Sequence, residues 1–208
     1  MINAKFNFNI GSKSLDSIIK YYNLSDSEVV ILQQVHSNSI KYVNKAGLYQ
    51  NTDGIVTDIP GLLLVIQVAD CVPVYFYDLK NKIIGLVHSG WRGTINGIII
   101  NTIKLMLKKG SLIQDINIYM GPSIKMCCYE VKQDVASHFS DNAKICIRDD
   151  IWYVDIKKEI TNQLTQTGVA LSNINCSNLC TYESYHCHSY RKNGAKSGRM
   201  YAFMEIKD

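Results

Sequence analysis

The stretch Ile83-Ile84-Gly85-Leu86-Val87-His88-Ser89-Gly90-Trp91-Arg92-Gly93-Thr94 carries an apolar, β-branched run straight into a turn flanked by glycines. Residues 95–109 follow, with apolar side chains at 95, 98, 99, 103, 106 and 107 and the cationic, glycine-terminated stop Lys108-Lys109-Gly110. A buried strand, a turn bearing reactive polar residues and an amphipathic helix therefore follow one another. Upstream, residues 29–32, 55–57, 62–66 and 74–77 read as further short strands, each bounded by Gly, Pro, Asp or Asn. A helix is expected at 15–22. Downstream the reading alternates: strand 116–120, helix 131–139, strands near Ile145 and Trp152, helix 156–165 and a last strand at 200–206. Strands gathered early and helices interspersed later predict an α/β (α+β) fold with mixed sheets.

The chain has 208 residues, which suits one domain over 1–208 with a sizeable core. At 47% apolar and 19% charged, the composition excludes a largely disordered chain. The net charge of +4 is spread over scattered lysines, so no nucleic-acid stripe is indicated. Only four of the 22 basic residues are arginine: Arg92, Arg148, Arg191 and Arg199. The amino terminus shows no signal-peptide pattern, and the apolar stretch at 61–69 is half a membrane span, interrupted by Gln67. Seven irregularly spaced cysteines do not form a disulfide framework, which predicts a reducing, cytoplasmic setting with no membrane partner.

Three reactive residues sit at strand ends: His36 after 29–32, Cys71 between two strands, and His88 after 83–87. Two imidazoles and one thiolate are a known catalytic zinc set that leaves a fourth position for water or substrate. Copper accepts the same ligand types, so both metals stay open. Asp70, beside Cys71, is a candidate orienter or base. The turn from Gly90 to Thr94 can present backbone N–H groups to an anion, with Arg92 as a two-pronged donor. Its competing role is simply to shape the turn, with Thr94 as a helix cap. Cys127 and Cys128 are adjacent and cannot easily bridge each other, so one is expected near the site and the other packed away. His186, Cys187 and His188 have no second ligand cluster to join.

The segments QQVHS, NTDGIVTDIPG, ADCVPV, HSGWRGT, GPSIKMCCYEV, CTY, SYR and SGRM run in order along nearly the whole chain and resemble the laccase-domain family of YfiH type. That family is named after multicopper polyphenol oxidases, and its bacterial members are also called purine nucleoside phosphorylases. The resemblance implies zinc on His36, Cys71 and His88, and a four-layer α/β/β/α arrangement similar to a toxin-deamidase fold. It implies phosphorolysis of adenosine, inosine or guanosine to base and ribose 1-phosphate, with purine nucleosides and phosphate as the small-molecule partners. Adenosine deamination and methylthioadenosine phosphorolysis are further activities credited to members. The chain departs from the family pattern at Ser14-Leu15, at Asn51-Thr52 and at Cys187-His188. Two rival enzyme readings remain: a metal-free hydrolase with Cys71 as nucleophile and His88 as base, and a copper-dependent polyphenol oxidase, for which five histidines are few.

Overall fold

The computed structural model describes residues 28–207. Its largest sheet is built from β2 (Ile40–Tyr42), β4 (Gly54–Thr57), β6 (Val72–Asp78), β7 (Ile83–Ser89), β8 (Ile116–Met120) and β12 (Ile174–Cys176), in the order β12-β8-β6-β7-β4-β2. The outer pairs are parallel and the inner ones antiparallel. A second sheet orders β13 (Met200–Met204), β5 (Leu63–Val68), β1 (Val29–Leu32) and β3 (Gly47–Tyr49) as β13-β5-β1-β3, again mixed. A small antiparallel sheet joins β9 (Glu130–Val131), β10 (Lys144–Arg148) and β11 (Ile151–Val154).

The burial patterns explain the layering. Strands β4 and β7 are buried at every position, so both faces of the large sheet must be covered. One face meets the second sheet, where Ile55, Tyr75, Ile84 and Leu86 share a core with Val30, Leu64, Ile66, Met200 and Ala202. The other face is covered by α2 (Ile98–Lys108) through Ile98, Ile99, Ile103 and Met106, and by α4 (Ile156–Gln166) through Ile160 and Leu164. Helices, sheet and sheet thus make three packed layers. The helix expected at 15–22 lies outside the described residues.

Most expected strands are present with shifted ends, and two helices differ. The helix expected over 95–109 starts later, as α2, and most of the turn expected at 90–94 is itself a short helix, α1 (Trp91–Ile95), separated from α2 by Gly97 in a left-handed conformation (φ 80°). The helix expected over 131–139 shrinks to α3 (Gln133–Ala136), since Glu130 and Val131 pair with β11 instead. A last short helix, α5 (Tyr190–Asn193), is capped by the Ser189 hydroxyl, which accepts from the Lys192 N–H. Among the described residues no helix is long and apolar enough to cross a membrane.

Candidate metal centre and cleft

Strand register alone assembles most of the site. In the antiparallel β4–β7 pair Gly54 lies opposite Val87, which puts Asp53 beside His88; the His88 N–H donates to the Asp53 carbonyl at 2.7 Å. In β6–β7, Val72 lies opposite Ser89, so Cys71 arrives next to the end of β7. His36 comes from the loop after β1, in a left-handed conformation (φ 59°). The ligand atoms of His36, Cys71 and His88 all lie within 4.8 Å of one another. The two imidazole rings meet edge to face at 4.7 Å.

Asp53 organises this cluster. It is fully buried, and its carboxylate accepts from the N–H groups of Val35, His36 and Ser37 and from the Ser37 hydroxyl at 2.7–3.2 Å. It also bonds His88 Nδ1 at 2.9 Å, leaving Nε2 for the site. Burial alone would raise its pKa, but His88 and Ser37 hold it down at about 2. A carboxylate fixing a histidine's tautomer and angle is the usual outer partner of a metal-bound imidazole. The sequence reading missed Asp53, although the DG pair of the DGIVT segment contained it.

Charge is concentrated on the sulfur. Burial pushes the Cys71 thiol up, yet His88 and His36 bring it down to about 6. Burial depresses His88, while Cys71 and Asp53 lift it to about 9. Without a metal the pair therefore favours thiolate and imidazolium, and a cation bound there would displace the imidazolium proton. Two nitrogens and a sulfur within this radius suit tetrahedral zinc, whose ligands sit at about 2.0–2.3 Å and leave one position open. Gly90 is required by this crowding: a Cβ there would lie 2.9 Å from Cys71 Sγ and 3.3 Å from His36 Cδ2.

The remaining predicted residues scatter around the cluster. Asp70 does not reach His88; its carboxylate accepts from Thr181 Oγ1 (2.6 Å), Ser189 Oγ (3.0 Å) and the Arg191 N–H (2.7 Å). The Thr94 hydroxyl is buried against the Gly90 carbonyl and Ser89 Oγ. Arg92 is exposed, with its guanidinium 4.4 Å from the Trp91 ring centre. Cys127 and Cys128 stand apart from the ligand cluster.

The three ligands open into a cleft of about 920 Å³. Trp91, Tyr129 and Tyr190 give it aromatic walls, Gln34 and Gln67 polar ones, and Arg92, Arg191 and Arg199 positive charge. Arg191 lies over Tyr129 at 5.0 Å and donates to the Glu130 carbonyl. Among the described residues none of these three arginines has a carboxylate partner within salt-bridge distance.

The sequence model of the family described as multi-copper polyphenol oxidoreductase laccase matches residues 12–207. The chain belongs to that family. A purine nucleoside phosphorylase of Clostridium acetobutylicum is 34% identical over 95% of this chain and 86% of its own length. The purine nucleoside phosphorylase YlmD of Bacillus subtilis is 30% identical, over 94% of this chain and 77% of its own. Among solved structures, the hypothetical protein YfiH of Bacillus licheniformis has a TM-score of 0.88 at 30% identity, covering 92% of this chain and 79% of that one. YlmD of Geobacillus stearothermophilus follows at 0.87 and 28%, over 92% and 78%. The mixed α/β fold is thus a property of the family.

Proposed function

We propose that the protein is a zinc-dependent purine nucleoside phosphorylase. One observation carries the reading: a cluster of two histidines and a cysteine opens into a cleft that has both aromatic walls and three arginines without a carboxylate partner among the described residues. The relatives named as purine nucleoside phosphorylases support it. The volume lies in the range of small-molecule sites. Trp91, Tyr129 and Tyr190 supply stacking surface for a purine, while Arg92, helped by Arg191 and Arg199, holds phosphate through planar paired donors. A phosphate oxygen bonds ribose C1′ as the C1′–N9 bond breaks, and the departing purine takes up a proton. Fixed cationic groups stabilise the charge that develops on the purine.

His36, Cys71 and His88 would hold the zinc, with Asp53 orienting His88. When bound, the metal supplies a Lewis-acid position that lowers the pKa of water toward neutrality. That position favours adenosine deamination as a second activity at the same cleft. Methylthioadenosine, the four-layer stacking and a cytoplasmic setting belong to the same reading. Asp53, His88 and Cys71 also have the order of a metal-free thiol hydrolase triad. His36, however, has no task in a triad, and a second imidazole on one thiolate is explained by a metal.

The test is to incubate the zinc-loaded protein with adenosine or inosine, with and without phosphate, and to identify products by mass. Purine and ribose 1-phosphate formed only with phosphate, and lost in Cys71→Ala, are expected. Cleavage that needs no phosphate and survives complete chelation would instead favour the metal-free hydrolase.

A further inference from the structure

A second group of metal-binding side chains lies outside the cleft. Residues 121–129 follow β8, and residues 177–184 follow its parallel neighbour β12. The Ser177 N–H donates to the Met120 carbonyl, and the Thr181 N–H to the Ser123 carbonyl, so the two loops run side by side. That pairing gathers the sulfurs of Cys127, Cys128 and Cys180 and the carboxylate of Glu183 within 4.8 Å of one another. We propose that these four residues form a second zinc site, a closed structural clamp that joins the two loops.

Geometry is the first support. A tetrahedral zinc with thiolates at about 2.3 Å has sulfur–sulfur edges of about 3.8 Å. Cys127 Sγ lies 3.4 Å from Cys128 Sγ and 3.7 Å from Glu183 Oε2. Local backbone is the second. Cys180 and Glu183 have the i, i+3 spacing of a zinc-binding turn, with a carboxylate in the second place. The N–H groups of Tyr182 and Glu183, two and three residues on, point back at the Cys180 sulfur, as does that of Lys125. Such donors hold a thiolate in place for a metal.

The odd number of sulfurs, with two on adjacent residues, fits a disulfide poorly. With four protein ligands and no open position, the ion braces rather than reacts. What it braces is one wall of the cleft, since Ile124 and Tyr129 of the first loop line it.

Metal analysis of the full chain, purified in chelator-free buffer, tests this. A second equivalent of zinc is expected. Cys127→Ser/Glu183→Gln, both exposed positions, should lose one equivalent and keep the folded circular-dichroism spectrum. Cys71→Ala should lose the other. With cobalt, the sulfur-to-metal charge-transfer band should survive largely in Cys71→Ala and fall severalfold in the Cys127 double variant. A single equivalent that vanishes in Cys71→Ala overturns the proposal. So does a non-reduced mass lighter by two hydrogens, which would reveal a disulfide among these cysteines.

Discussion

Two sulfur-containing clusters sit in this chain, and they are built by opposite means. Cys71 and His88 are placed by the register of β4, β6 and β7 in the middle of the largest sheet, and His36, from the loop after β1, is tied to them by Asp53. Cys127, Cys128, Cys180 and Glu183 come from loops, and their geometry follows from two loop-to-loop hydrogen bonds. The first cluster is supported by a buried carboxylate, Asp53, and faces a cleft. The second is supported by backbone N–H groups and is largely exposed. Sheet register fixes a reacting centre rigidly with one side free, while loop turns can wrap an ion completely. The difference predicts that the first cluster carries turnover and the second carries local stability.

The strongest way to break this comparison is to exchange the damage. Cys71→Ala should abolish phosphorolysis by more than about a hundredfold, while Cys127→Ser should leave kcat within a few-fold and lower the thermal midpoint. Comparable losses of turnover from both would mean the clusters do not divide their tasks. Asp53→Asn should weaken zinc binding by about 10–100-fold, as expected when the partner of a metal-bound histidine is lost; competition with a chelator measures it. Gly90→Ala pushes a methyl against Cys71 and His36, and overpacking of about 1–3 kcal/mol should cost about tenfold or more in zinc affinity. Arg92→Lys keeps the charge but loses the fork. It should raise the KM for phosphate about tenfold, a loss of about 1.4 kcal/mol, with the nucleoside KM little changed.

A last effect, on stability and not on turnover, concerns Lys157, whose Nζ donates to the Ser177 carbonyl at 2.6 Å, three residues before Cys180. Burial lowers its pKa from 10.5 to about 8. Between those values the unfolded chain binds more protons than the folded one, so stability rises with pH. The wild type should therefore gain on Lys157→Met in denaturant midpoint from pH 8 to pH 10.5. A constant difference would mean that the ammonium is not desolvated.

The contrast also explains what could be read in advance. Strands β4 to β7 were legible because buried strands are written as apolar runs between turn residues. Strands β2, β3 and β12, three residues each and mostly uncovered, carry no such run and were not expected. His36, Cys71 and His88 were visible as reactive residues at strand ends. Asp53 read as an ordinary turn residue before Gly54, because its role depends on a strand 35 positions away. Of the adjacent Cys127 and Cys128, one is expected beside the site, yet both stand apart from it. Only the parallel pairing of β8 with β12 reveals that their companions are Cys180 and Glu183. Arginine scarcity did carry information, since Arg92, Arg191 and Arg199 all line the cleft and Arg148 does not.

Asp70 has a consequence for the order in which the molecule is made. The residues that hold its carboxylate stand 111 to 121 positions downstream, and β5 awaits β13 at the far end of the chain. During synthesis His36, Cys71 and His88 all leave the ribosome while these closing residues are still untranslated. The candidate ligands His36, Cys71 and His88 are therefore translated early, whereas Tyr190, Arg191 and Arg199 complete the cleft only once the chain is nearly finished.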